Sequence, residues 1–120
     1  MDFRKLKIFQ KSHELTLDIY NETNKFPETE KFGIVSQLRR AAYSVPSNIA
    51  EGYGRATKKE FTNFLVIARA SVEEVRYFLL LAKDLKYINE KDYCNLDKEY
   101  TNLKYSIHAF INTLSNKNGK

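Results

Sequence analysis

The sequence contains one cysteine, two prolines, four glycines and no tryptophan. A single cysteine excludes an intrachain disulfide, and so few prolines and glycines argue against a disordered or low-complexity chain. No apolar run approaches the length of a membrane-spanning helix, because the densest one, residues 78–82, is flanked by Arg76 and Lys83. These absences predict a soluble protein that folds around an apolar core and has no membrane partner.

The charges of the chain indicate little about a binding partner on their own. Twenty Lys and Arg residues against fifteen Asp and Glu residues give a formal net charge of +5, which permits attraction to RNA or DNA. Both signs are interspersed along most of the chain, as is typical of a solvated surface. Residues 1–11 are charged rather than apolar, unlike a secretory signal, so we expect a location in the reducing cytoplasm.

Helical periodicity is the strongest feature that the sequence does contain. In its third quarter, apolar residues recur at alternating spacings of four and three, which places them on one side of a helix. They are Phe61, Leu65, Ala68, Val72, Val75, Leu79 and Ala82. Thr57 and Glu60 form the S/T-x-x-E pattern of a capping box at the start of this segment. The pattern predicts a helix over about 58–85.

Three further segments carry apolar stripes of the same kind. They cover residues 7–24, 29–53 and 90–115. Phe26 and Pro27 separate the first two, because proline cannot extend the preceding helix. Short links place successive helices antiparallel and adjacent. We therefore predict one domain, residues 1–120, folded as an all-α, antiparallel, up-and-down four-helix bundle with left-handed packing.

The predicted third helix carries more apolar residues than one core-facing stripe requires. Buried apolar surface contributes about 25 cal/mol per Å², so a few such side chains favour association between copies of the chain. We therefore predict a homo-oligomer. The candidate interface residues are Phe64, Ile67, Phe78 and Leu81. The alternative is a bundle compact enough to cover these side chains within one chain.

The predicted second helix has a polar stripe opposite its apolar one. The polar residues are Arg40, Ser44, Asn48, Glu51 and Arg55, with Arg39 beside them. Such a stripe is either solvated, or joins neighbouring helices or subunits, or presents arginines to phosphates. We favour the joining role, because the carboxylate of Glu51 and the amide of Asn48 do not suit a polyanion surface.

A proline within this helix indicates that the polar stripe has a structural role. Pro46 removes one backbone hydrogen bond and predicts a kink, at a cost of about 3 kcal/mol unless other contacts compensate. We expect Ser44 or Ser47 to bond to the freed backbone groups.

Three blocks of the sequence resemble one known family. They are FRKLKIFQKS at 3–12, GIVSQLRRAAYSVPSNIAEGYGR at 33–55 and KKEFTNFLVIARAS at 58–71. In this order and at this chain length they resemble the 23S rRNA intervening-sequence protein family, whose members are also labelled S23 ribosomal proteins. The resemblance covers essentially the whole chain, and its polar positions include Arg39, Arg40, Ser44, Asn48 and Glu51.

The resemblance implies a left-handed bundle that assembles as a homopentamer in bacteria and has no established biochemical role. Its fold is similar to that of the accessory variability determinant proteins of diversity-generating retroelements. Those proteins are basic pentameric barrels thought to bind nucleic acid and a reverse transcriptase. Because fold alone does not determine function, this likeness implies only an expectation.

No pattern in the sequence predicts catalysis. A di-iron bundle requires Glu-x-x-His motifs, but neither His13 nor His108 has a glutamate three residues before it. These histidines and Cys94 lack the spacing of a zinc site. A phosphate-binding loop, a dinucleotide-binding glycine pattern and a nucleophile elbow are also missing. We predict a protein that is not an enzyme and has neither metal nor cofactor.

Two basic groups make nucleic-acid binding the favoured function. Arg55, Lys58 and Lys59 lie between the second and third predicted helices, and Arg4, Lys5 and Lys7 lie near the N-terminus. In a ring of copies, weak phosphate contacts at these positions would be repeated and would gain avidity. One alternative is that the basic groups only solubilise the surface. The other is a scaffold that binds a protein partner without contacting RNA or DNA.

Overall fold

The computed structural model describes the backbone of residues 2–118 and the side chains of residues 2–115. Four α-helices dominate it, with single 3-10 turns at Phe3–Lys5 and Glu28–Glu30. The helices are α1 (Lys7–Thr23), α2 (Ile34–Tyr53), α3 (Lys58–Asp84) and α4 (Glu90–Asn118). No strand occurs within residues 2–118. The all-α prediction is therefore confirmed, and the helices form a rod of 51 × 22 × 20 Å.

Side-chain contacts between consecutive helices show that the helices alternate in direction. In each pair, residues later in one helix meet residues earlier in the next. The contacts are Thr16 with Ala42 and Thr23 with Arg39, Ser44 with Ser71 and Arg40 with Glu74, and Arg76 with Asp97 and Arg69 with His108. Helix α4 also returns to α1, through an ion pair of 2.8 Å between Lys11 and Glu99. This arrangement confirms the four-helix bundle, and its handedness stays a prediction.

The predicted apolar stripes converge on one core. Every residue of the predicted α3 stripe is buried except Phe61, which is half-buried and packs against the core. The largest fully buried side chains come from all four helices, among them Leu15, Leu38, Leu79 and Tyr100. Because burying one large apolar side chain contributes about 1.5–3 kcal/mol, this core is the main source of stability.

The sequence patterns predicted the first residue of α3 but not that of α2. The capping box at α3 forms, since the Glu60 amide donates to Thr57 Oγ1 at 3.1 Å. Helix α2 begins at Ile34, five residues later than predicted, because the segment before it turns instead of continuing a helix. Gly33, with φ −106° and ψ −115°, is not helical, and the side chain of Glu30 caps the Ile34 amide at 3.4 Å.

Pro46 lies buried inside α2, where its ring leaves the carbonyl of Ala42 without its helical partner. Thr16 of α1 compensates in part, because its hydroxyl lies 3.2 Å from the Ala42 oxygen and shares its one proton between that oxygen and the Ser12 carbonyl of its own helix at 2.8 Å. The expected compensation by neighbouring serines is not seen: the hydroxyl of Ser44 lies instead 2.9 Å from that of Ser71. The Ala42 carbonyl faces α1, so a side chain of α1 reaches it. The kink itself stays a prediction.

Candidate nucleic-acid interface

The two predicted basic groups lie at the same end of the bundle. Helix α1 begins there, α2 ends there and α3 begins there, because the helices alternate in direction. A chain of aromatic contacts closes this end: the ring of Phe61 lies 5.9 Å from that of Tyr53 and 5.7 Å from that of Phe110. We call the following six residues the basic end: Arg4, Lys5, Lys7, Arg55, Lys58 and Lys59.

Both arginines of the basic end are engaged with carboxylates. Arg4 donates to Asp2 through Nε at 3.0 Å and through Nη2 at 2.8 Å. These bonds, with that from the Arg4 backbone N–H, lower the pKa of Asp2 to about 2. Arg55 pairs with Glu51 at 3.0 Å, and its guanidinium lies 4.8 Å from the centre of the Phe64 ring. The two arginines therefore hold local structure.

The four lysines of the basic end are exposed, and none forms an ion pair within the described side chains. Lys58 and Lys59 occupy the first turn of α3. A helix N-terminus carries partial positive charge, so cations there are unfavourable by about 0.3–1 kcal/mol each. Lysines at this position do not stabilise α3, and their side chains are exposed to solvent.

Two residues of the polar stripe on α2, Arg40 and Ser44, make polar contacts with α3. Arg40 forms an ion pair with Glu74 of α3. Ser44 and Ser71 join their hydroxyls at 2.9 Å, and the Asn48 amide donates to the Ser44 carbonyl at 2.8 Å. The contacts of Arg40 and Ser44 place this part of the stripe on the seam between two helices of one chain, whereas Asn48 bonds within α2. The partners on α3 could not be identified from sequence because nothing in the spacing of one helix specifies the register of its neighbour.

Two members of the stripe have other roles. Glu51 contacts Arg55 one turn later on the same helix. Arg39 points toward α1, where its Nε donates to Thr23 Oγ1 at 2.8 Å and its Nη2 to Asn24 Oδ1 at 3.0 Å. Its guanidinium also lies 4.5 Å from the centre of the Tyr20 ring. A cation at the C-terminus of α1 complements the helix dipole, so Arg39 ties α1 to α2.

The apolar candidates on α3 divide into covered and exposed residues. Phe78 and Leu81 are half-buried and pack against the core, and Phe64 is half-buried beside Arg55. Ile67 is 48% exposed. Three other apolar residues of α3 are also exposed, namely Val66, Tyr77 and Leu80. The bundle thus covers part of the surplus apolar surface within its own chain and leaves part of it in solvent.

Residues with metal-binding or nucleophilic chemistry are separated from one another. The Arg69 guanidinium lies 2.8 Å from His108 Nδ1, His13 stacks on Phe9, and Cys94 is exposed near Glu90. Among the side chains that the structure describes, no group of three or more His, Cys, Asp or Glu could hold a metal ion. Over the same part of the chain, no helix is both long enough and apolar enough to cross a membrane.

Comparisons with known proteins give a family and a related structure. A sequence model of the family described as 23S rRNA-intervening sequence protein matches residues 4–109. The chain is similar to the crystal structure of a protein with unknown function from the S23 ribosomal protein family of Bacteroides thetaiotaomicron VPI-5482. That match has a TM-score of 0.78 and 26% identity, and covers 87% of this chain and 97% of the other. No protein of curated function matches.

Proposed function

We propose, for a chain that belongs to the 23S rRNA-intervening sequence protein family, a role in binding nucleic acid through the basic end of its bundle. The family is of unknown function and is not a known enzyme family. The observation that carries the proposal is the set of exposed lysines Lys5, Lys7, Lys58 and Lys59, gathered at one end with no carboxylate partner among the side chains that the structure describes. Phosphates of RNA or DNA would supply the missing negative charge.

We also propose that the protein works as a homo-oligomer, and as a pentamer by resemblance to its family. Exposed Ile67, Val66, Tyr77 and Leu80 on α3 support self-association, because apolar groups left in solvent favour burial against another surface. A ring would repeat the basic end once per subunit. Several weak phosphate contacts would then act together on one nucleic acid.

A salt titration tests the nucleic-acid proposal. Fluorescence anisotropy with a structured RNA and with a DNA duplex, at 50 and 200 mM salt, should give affinities that fall steeply as salt increases. Changing Lys58 and Lys59 to alanine should weaken binding and reduce the log–log slope by about one for each phosphate that is no longer neutralised. The matched control changes Lys91 and Lys98 to alanine, since these lysines are also exposed but lie away from the basic end.

Two outcomes would contradict the assignment. The first is that the intact protein binds neither the RNA nor the DNA duplex at 50 mM salt. The second is that the Lys58 and Lys59 variant has the same affinity and the same salt dependence as the Lys91 and Lys98 control. Each outcome removes the basic end as the binding surface.

The exposed apolar residues of α3 also favour a second candidate function, a scaffold that binds a protein partner without nucleic acid. Molar mass in solution, measured by light scattering, distinguishes self-association through this surface from binding of a different protein. If α3 mediates self-association, changing Ile67 to glutamate should reduce the mass to that of one chain, and Lys91→Glu should not. If the intact protein is a monomer in solution, the proposed oligomer is wrong. The exposed apolar residues of α3 would then be available to bind a different protein.

A further inference from the structure

A groove along the seam between α1 and α4 begins at the basic end of the bundle. These two helices contact each other less than any other pair of adjacent helices. Their seam holds two cavities there, of about 310 and 430 Å³. Both cavities are lined by Lys7, Ile8 and Ser106, so they join into one groove. Protein pockets that bind small organic groups have volumes of about 300–1,000 Å³, so this groove is large enough for one such group.

The lining of the groove combines apolar surface with hydrogen-bonding groups. The apolar surface comes from four side chains that are buried or half-buried, namely Leu6, Ile8, Leu103 and Phe110. The side chains of Asn102 and Ser106 are exposed and form no hydrogen bond with any described residue. A carboxamide and a hydroxyl each offer a donor and an acceptor, which are the groups that pair with the polar edge of a nucleobase.

The charges along the groove favour an anion at the basic end. Glu99, a carboxylate of the lining, is paired with Lys11 at 2.8 Å, so its charge is compensated within the chain. Lys7 lines both cavities, is exposed and forms no ion pair within the described side chains. Lys7 is also a member of the basic end. A phosphate bound by Lys7 would therefore have the groove beside it, within reach of the attached nucleoside.

We propose that the groove binds an unpaired nucleobase, so that the protein prefers single-stranded RNA or DNA to a duplex. The inference rests on the proposed nucleic-acid function and names the form of nucleic acid that the basic end binds. Stacking of a base on an aromatic side chain such as Phe110 contributes about 1–3 kcal/mol. Removing a base from a duplex costs a similar amount, which cancels that gain. An unpaired base has no such cost, so only a single strand gains affinity from the groove.

Binding of two strands with equal charge tests the proposal on the intact protein. One probe is a labelled single-stranded DNA, and the other is a strand of the same length whose bases are replaced by abasic residues. Both carry the same phosphates, so contacts to phosphate alone give them equal affinities. In fluorescence anisotropy at 50 mM salt, we expect the strand with bases to bind about tenfold more tightly.

Substitutions in the groove should remove this preference. Ser106→Leu places a larger apolar side chain where the two cavities meet, so it should reduce the affinity for the strand with bases to that for the abasic strand. Asn102→Ala should weaken binding of the strand with bases severalfold. Neither change should alter binding of the abasic strand. Ser36→Leu is the matched control, because Ser36 is also an exposed helix residue but lies on α2, outside the groove.

A double substitution at the basic end separates this inference from the proposed function. Changing Lys58 and Lys59 to alanine should weaken binding of both strands by the same factor, because it removes contacts to phosphate only. If the intact protein binds neither strand, both proposals are wrong.

Two results would overturn the groove alone. The first is equal affinity of the intact protein for the strand with bases and the abasic strand. The second is equal binding of the strand with bases by the Ser106→Leu and Ser36→Leu variants. If Ser106→Leu lowers the melting temperature, Asn102→Ala takes its place in that comparison.

Discussion

The seams that α2 forms with its neighbours differ in construction from the seam between α1 and α4. On one side, small residues let the backbones approach, and polar side chains bond across the gap, as Ser44 does with Ser71 and Thr16 with the Ala42 carbonyl. On the other side, α1 and α4 face each other with long charged side chains. One ion pair between Lys11 and Glu99 crosses that seam, and cavities remain beside it.

The two kinds of seam stabilise their helices in different ways. Helix α2 contains Pro46, Ser44 and Gly52, which are poor residues for a helix interior. Its stability therefore depends on contacts with α1 and α3, which must have close to ideal geometry. Helices α1 and α4 are joined instead through long side chains, as in the ion pair of Lys11 with Glu99. Cavities remain along their seam, and the buried hydroxyl of Tyr100 on α4 has no hydrogen-bond partner among the described residues.

Gly52→Ala tests the close packing of α2 against α3. It has the largest expected effect on the free energy of unfolding. A Cβ atom at this position would lie 2.7 Å from Phe64 Cβ and 3.0 Å from Phe61 Cδ1. In an open helix this substitution stabilises by about 1 kcal/mol, but the clash should reverse the sign and cost about 1–3 kcal/mol. Urea denaturation measures the change.

Gly54→Ala provides the matched control for that prediction. Its Cβ would meet only carbonyl oxygens of Glu51 and Ala50 at 3.6 and 3.9 Å, so we expect no loss of stability. If both variants were stabilised equally, α2 and α3 would be farther apart than the structure places them.

Thr16→Val tests the contact between α1 and α2. It removes the hydroxyl that bonds to both the Ser12 and the Ala42 carbonyls, so the free energy of unfolding should fall by about 1–2 kcal/mol. Pro46→Ala restores a backbone donor to the Ala42 carbonyl, so the loss from Thr16→Val should shrink in the Pro46→Ala background. A double-mutant cycle by denaturation measures this coupling. Strictly additive effects would show that Thr16 does not compensate for the proline.

Ser71→Ala probes the seam between α2 and α3 with a smaller change. It removes the hydroxyl that meets Ser44 at 2.9 Å, and we expect a loss of about 1 kcal/mol in unfolding free energy. Ser106→Ala, beside a cavity on the open seam, should change stability by less than about 0.5 kcal/mol. Equal effects of the two substitutions would remove the distinction between the seams.

Tyr100→Phe should have an effect of opposite sign. Because the buried hydroxyl has no partner within the described part of the chain, its removal should leave stability unchanged or increase it by up to about 1 kcal/mol. Thermal unfolding measures this. A loss above about 1 kcal/mol would mean that the hydroxyl is satisfied in the folded protein.

Asp18→Asn should give the smallest change, and one that depends on pH. Burial and Glu14 raise the pKa of Asp18, so the folded state disfavours the carboxylate. The native aspartate thus favours folding most when protonated, below its ordinary pKa, and that advantage disappears as pH rises through the raised value. The substitution should gain a few tenths of a kcal/mol at pH 7 and nothing below about pH 3.5. A pH series of melting temperatures tests this sign, and a gain that grew toward acid would contradict it.

Particular residues show which parts of the fold and site were predictable. The α3 stripe and the capping box of Thr57 and Glu60 followed from local spacing, and both appear in the structure. The start of α2 was placed too early, because the turn before Gly33 depends on its backbone geometry and on Glu30. For the basic residues, composition identified the cations but not which carboxylates would hold Arg4 and Arg55.

The order of residues along the chain determined four helices, their apolar faces and a family resemblance, because the period of a helix is local and is written into the spacing of side chains. Tertiary structure decided which helix seam is tight and which is open, that Thr16 serves Pro46, and that Tyr100 has no partner among the described residues. Those facts depend on the register and distance between helices, which arise only when all four pack at once.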